Sequence, residues 1–167
     1  MERPPTERHD ASVTGTALCF EDFVPGRTFS GSPRHISRAD IDAFTVLSGD
    51  HTALHSDDEY ARTTPLGGVV AHGALVLSVA TGLAYALGIF EGTVLAVRSM
   101  DVTFERPVRP DESVVLQLTV IEQDPRPKAD RGWIRFRVDL LNAAGKTTMG
   151  GTWTLLMRSG AAPTGTD

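Results

Sequence analysis

A chain of 167 residues with 41% apolar and 22% charged side chains is long enough for one globular domain and too apolar to stay disordered. Its 16 basic and 21 acidic residues leave a net charge of −5 with the signs interspersed, which argues against a general binder of nucleic acid or of anionic membranes. Cys19 is the single cysteine, so no disulfide framework or cysteine-rich metal site is expected, and no apolar run follows Arg3 and Arg8 to form a leader; a soluble cytoplasmic protein is the expectation.

Residues 1–17 and the tail 159–167, SGAAPTGTD, are small, polar or charged, and both read as mobile ends around a single domain over 18–158. A strand is expected around 27–36. In SRADIDAFTVLSGD, Ser37 and Asp40 form a capping-box-like start, Ile41, Phe44 and Val46/Leu47 follow at helical spacing, and Gly49 closes the helix. A short second helix over Asp57–Arg62 stops before Pro65, and PLGGVV reads as a breaker-rich crossing. From Gly73 to Phe90 no residue is charged, which is the lower edge of a membrane span; three glycines and several alanines favour a buried core helix instead.

The second half changes period. Val114, Leu116, Leu118 and Val120 alternate with polar neighbours, as do Ile134, Phe136, Val138 and Leu140. Met149, Trp153, Leu155 and Met157 share a face, and so do Met100, Val102 and Phe104. Turn signals in RPVRPDE, DPRPKADRG and NAAGK separate these runs. The order is therefore strand, small helices, one long apolar helix and four antiparallel strands: an α+β domain whose sheet wraps one helix.

Three polar residues sit where this pattern has no need of them: Asp50 at the helix exit, His55 five residues on, and His72 just before the apolar helix. His51 and His55 have the spacing of a helical zinc pair, but Thr52 occupies the place of the usual glutamate, so no metal site is expected. A carboxylate and an imidazole on one tight loop can hold a single water and move its proton near neutral pH. The start of the apolar helix adds free N–H groups and a positive dipole end, and Gly73 lets a carbonyl oxygen approach them. Read singly, Asp50 is a cap, His55 scaffolding and His72 a packing residue. Their joint placement points to acid–base chemistry.

The segment FTVLSGDHTALHSDDEYA resembles the hydratase motif of the MaoC-like, R-specific enoyl-CoA hydratases, matching it at Phe44, Ser48, Gly49, Asp50, Leu54, His55 and Ala61. PLGGVVAHGALVLSVATGL is similar to that family's overhanging segment and central helix, and TFERPVRPDESV to its continuation, so the resemblance covers roughly residues 20–158. It implies a hot-dog fold, a homodimer or a higher oligomer, and an Asp50–His55 pair that activates water for syn addition across a trans-2-enoyl thioester or for the reverse dehydration. The Gly73 amide would hold the thioester oxygen, with His72, Ser48 and Gly49 in support. Three positions depart from the motif: Thr52 replaces Asn, Ala53 replaces Pro, and Thr81 lies where a serine is common. The substrate is an acyl-CoA or an acyl-carrier-protein thioester, and Arg98, Arg106, Arg109 and Lys128 are basic groups available to its phosphates. No metal or redox cofactor is implied. A thioesterase and a silent assembly subunit on the same scaffold are the rival readings.

Overall fold

The computed structural model of the chain describes residues 17–125 and 130–160. Apart from residues 17, 159 and 160, the two expected tails fall outside the described residues, as does Lys128.

A short 3-10 turn at Phe20–Asp22 leads into β1 (Thr28–Ser30) and β2 (Arg34–Ile36). The single strand expected over 27–36 is thus broken in two. Pro33, which has no N–H for a ladder, lies in the gap, and both pieces pair with the same neighbour strand.

Helix α1 (Arg38–Ser48) begins where the sequence puts it. The Asp40 amide donates to Ser37 Oγ at 3.1 Å while the Ser37 amide donates to the Asp40 carboxylate at 2.7 Å. Such a cap stabilises a helix by about 1 kcal/mol. Its packing face differs from the expected one: Ile41 and Thr45 are buried, whereas Val46 and Leu47 are 76% and 82% exposed. Counting i+3 and i+4 from Ile41 leads to Phe44 and Thr45, so positions 46 and 47 fall on the far side. Thr45 is tolerated inside because its hydroxyl donates to the Ile41 carbonyl at 3.0 Å.

The expected second helix is α3 (Asp58–Thr63), one residue along from Asp57–Arg62, and a further short helix that was not expected, α2 (Ala53–Ser56), precedes it. Asp57 between them accepts the amides of Glu59 and Tyr60 at 2.9 and 3.0 Å, which starts α3. The apolar helix α4 runs from Gly73 to Ala86. Its buried side carries Leu75, Val76, Ala80, Leu83 and Ala84, while Ala74, Ser78, Gly82 and Tyr85 are exposed. Uniform apolarity thus does not mean burial all round; one face packs and the opposite one stays open. No helix among the described residues is long and apolar enough to cross a membrane.

The remaining strands are β3 (Val94–Phe104), β4 (Glu112–Pro125), β5 (Arg131–Asn142) and β6 (Thr147–Arg158). They form one antiparallel sheet in the order β1-β4-β5-β6-β3, with β2 also on β4. The registers Leu118↔Val138 and Phe136↔Trp153 place every alternating apolar residue on one face. Leu116, Leu118, Ile134, Phe136, Val138, Leu140 and Met149 are fully buried there. Phe136 meets the rings of Phe23 and Phe90 edge-on at 5.5 and 5.7 Å. At the end of β3, the Phe104 ring reaches the first residue of α4.

Candidate active site

The site begins at a helix end. Gly49 takes φ +74°, a left-handed geometry that glycine adopts without strain, and its amide closes on the Thr45 carbonyl at 3.0 Å. The chain then leaves α1 in a tight turn. Ser48 Oγ donates to the Phe44 carbonyl at 2.6 Å and accepts the Asp50 amide at 3.2 Å. Asp50 is exposed, and its Oδ1 accepts both the Thr52 amide (3.1 Å) and the Thr52 hydroxyl (2.6 Å). Those two bonds, the hydroxyl first, hold the carboxyl below its usual range, with the nearby His72 and His55 adding to the effect.

His55 sits on α2 with its Nδ1 at 2.7 Å from the Val70 carbonyl. A carbonyl only accepts, so Nδ1 carries the proton and neutral His55 presents a bare Nε2. Val70 is itself held in place: the next amide, Ala71, donates to the Val108 carbonyl at 2.7 Å, and the Arg109 guanidinium donates to the Leu66 carbonyl. His72 is 2% exposed, and its Nε2 donates to the Asp50 carbonyl at 3.1 Å. Its ring stacks on His55 at 3.9 Å and lies 5.2 Å from the Phe44 ring.

Asp50, His55 and His72 therefore bring one carboxylate oxygen and two ring nitrogens within 4.8 Å of one another. His51, the other half of the zinc-like spacing, is exposed and is not part of this group. The His55 and His72 planes meet at 30°, and His55 Nδ1 and His72 Nε2 are already engaged by the carbonyls of Val70 and Asp50. A carboxylate and a ring nitrogen at this spacing can hold a water between them.

Gly73 follows as the first residue of α4, and a first-turn amide has no carbonyl to reach within its own helix. A Cβ at Gly73 would stand 2.9 Å from the Phe104 ring, so only glycine leaves this approach open. Beside it lies a cavity of about 290 Å³ lined mainly by apolar residues, among them Val70, Val76, Phe104 and Val108, with Arg106 at its edge.

The other candidates are dispersed. Thr81 spends its hydroxyl on the Ser78 carbonyl at 2.7 Å, within its own helix. Arg98 lies over the Trp133 ring at 5.5 Å and lines a different cavity, with Arg135 and Glu122. Arg109 is committed to Leu66. Among the described candidates for phosphate contact, only Arg106 borders the cavity at Gly73. Sequence reasoning missed the Val70 carbonyl, since a backbone group leaves no side-chain signature. It also missed the Thr52–Asp50 bonds, although an Asp with a hydroxyl two residues on is a spacing at which such local bonds form.

The MaoC-like domain profile matches residues 22–132. Protein MaoC of Klebsiella aerogenes is 35% identical over 60% of the chain, and the chain spans only 30% of that protein's length. The 3-hydroxybutyryl-CoA dehydratase of Methylorubrum extorquens is 30% identical over 68% of the chain and 71% of its own length. The (R)-specific enoyl-CoA hydratase of Rhodospirillum rubrum is 29% identical over 83% and 90%. Among solved structures, the monoamine oxidase regulatory protein from Archaeoglobus fulgius superposes with a TM-score of 0.78 at 29% identity, covering 87% of this chain and 97% of that one. A Mycobacterium tuberculosis protein described as having a double hotdog fold superposes with a TM-score of 0.72 at 19% identity, over 90% and 46%. The fold is the hot-dog fold expected from the sequence.

Proposed function

The chain belongs to the MaoC-like dehydratase family, and from that premise we propose that it adds water reversibly to a trans-2-enoyl thioester. The observation that carries this reading is the grouping of the Asp50 carboxylate and the His55 ring at the start of α4, beside an apolar cavity. Asp50 and the bare Nε2 of His55 hold one water between them. The Gly73 amide donates to the thioester oxygen, drawing electron density from C3 and stabilising the enolate. The water oxygen bonds to C3, its proton passes to the pair, and the pair returns a proton to C2 from the same side, a syn addition. Dehydration of the 3-hydroxyacyl thioester is the reverse. No electrons change hands, so no redox cofactor is required, and the reading gives the acid–base work to the Asp50–His55 pair and the carbonyl to the Gly73 amide without calling on a metal.

The finer parts of the proposal are a CoA or carrier-protein thioester as substrate, an R-configured product, and cytoplasmic residence, where a lone thiol such as Cys19 stays reduced. A homodimer is also proposed. Strand β3, 11 residues long, forms an edge of the sheet and exposes Leu95 and Val97. A clean monomer by light scattering at micromolar concentration would remove that part.

The experiment is a spectrophotometric assay with crotonyl-CoA and longer trans-2-enoyl-CoAs, with a thiol reagent in parallel. Loss of the enoyl absorbance without thiol release is the expected result, and chiral analysis of the product then tests its configuration. Thiol release would make the protein a thioesterase. No change in either channel would overturn hydration of CoA thioesters.

A further inference from the structure

We infer that Thr52 is the residue that aims the Asp50 carboxylate, a positioning role that rests on the hydration reading above. The backbone of Asp50 is already tied on both sides. Its amide donates to Ser48 Oγ at 3.2 Å, and its carbonyl accepts from His72 Nε2 at 3.1 Å. What those bonds leave undetermined is the direction of the side chain, which turns on two torsions. Asp50 is exposed, so packing does not choose among its staggered wells. Thr52 does, because its amide and hydroxyl meet the same oxygen, Oδ1, at 3.1 and 2.6 Å. A hydroxyl bond to a carboxylate at that length is charge-assisted and among the stronger ones proteins make. With Oδ1 so engaged, Oδ2 is the oxygen left for a water.

The Thr52 side chain has no competing structural duty. It precedes α2 yet makes no side-chain cap bond, and the role it does play at that helix start belongs to its backbone carbonyl, which accepts the His55 amide at 2.9 Å. Replacing the side chain therefore leaves α2 intact. Thr52 is one of the chain's departures from the hydratase motif, and its hydroxyl gives the departure a direct function: it prepays the ordering of the carboxylate before substrate binds. The titratable groups that act on Asp50 are His72 and His55, with exposed His51 next to it in the chain, and all three remain in any Thr52 variant.

The test compares Thr52→Val, which keeps the branched shape without the hydroxyl, with Thr52→Ser, which keeps the hydroxyl. Carbon-detected NMR of the Asp50 carboxyl reads the clamp without substrate, and enoyl-CoA kinetics read its consequence. Thr52→Val should raise the Asp50 titration midpoint, move the acid limb of kcat/KM upward with it, and lower kcat about tenfold at little-changed KM. Its melting temperature should stay close to the wild-type value, since the bond is exposed to solvent. Thr52→Ser should restore most of each change. An unmoved midpoint in Thr52→Val, or a Thr52→Ser protein as impaired as Thr52→Val, overturns the inference. Wild-type protein inactive on every enoyl thioester would instead sink the hydration reading, and with it the role assigned to Thr52, while the carboxyl titration still tests the clamp itself.

Discussion

The loop after α1 and the outer face of β5 each carry an aspartate, and their surroundings drive the two carboxyls in opposite directions. Asp50 is exposed and is held below the usual carboxylate range by the Thr52 hydroxyl and amide. Asp139 is half-buried opposite Gln117 and Gly150, and its carboxyl is pushed up by desolvation; nearby Arg137 offsets part of that, while Glu105 adds to it. A tight turn leaves amides unused and aims them at a side chain two residues back. A central strand spends its amides on the ladder and offers its carboxylates no such donors. One region is built for access and charge, the other for packing, and the same residue type behaves accordingly.

The largest expected effect separates the two outright. Asp50→Asn should cut turnover by about 10²–10⁴-fold, the usual share of a general acid–base group, while the protein melts normally. The amide keeps an oxygen for Thr52, so the loop survives and only the chemistry is lost. Steady-state kinetics beside a thermal melt check this, and near-wild-type turnover would make Asp50 a scaffold residue like Asp139.

Next in size is Gly73→Ala, which puts a methyl into the space facing the Phe104 ring. Phe104 is half-exposed and can swing aside, so the fold should hold, but turnover should fall about tenfold as the thioester oxygen loses its approach to the amide. Unchanged kcat and KM would place the carbonyl elsewhere.

Asp139→Asn should leave turnover unchanged and act on stability alone. Its folded carboxyl titrates above the unfolded one, so the native state binds more protons between those two values and loses stability as pH rises through them. Removing the charge should therefore raise the melting temperature above that window by a small amount, at most about 2 °C for a chain of this size, and leave it unchanged in acid. For Asp50 the sign reverses: its contribution is present above the unfolded value and disappears as pH falls through the lower, folded one. The difference in melting temperature between wild type and Asp139→Asn, followed from acid to neutral pH, checks the first of these, whereas solvent screening at exposed Asp50 should keep the second small. The smallest effect is expected of Leu47→Ser at 82% exposure, within about 0.5 kcal/mol. A much larger loss would mean that a second chain covers this face.

Period-2 alternation predicted the four long strands, with the runs over 93–104, 131–142 and 147–157 matching to within one residue and the run over 113–121 ending four residues before β4 does, because one buried face leaves a strand no freedom of register. The capping box at Ser37 and Asp40 and the stop at Gly49 were equally legible, being local chemistry. Legibility failed where burial depends on what lies opposite. Val46 and Leu47 look like core residues and face outward, while Thr45 goes in. The apolar helix covers the sheet with one face only.

The site divides in the same way. Asp50, His55, His72 and Gly73 stand out in the sequence as polar or small residues that the fold's own pattern does not require. The carbonyl that sets the His55 tautomer comes from Val70, and the bond that ties Asp50 to the helix start comes from His72, 22 residues away. The sequence by itself determined the alternation of the sheet, the helix caps and the kinds of chemical group on offer, since each depends on neighbours a few residues apart. The tertiary structure alone decided which nitrogen of His55 is bare and which of the basic residues borders the cavity. Those depend on contacts between segments brought together only by packing, at hydrogen-bond distances that residue spacing does not encode.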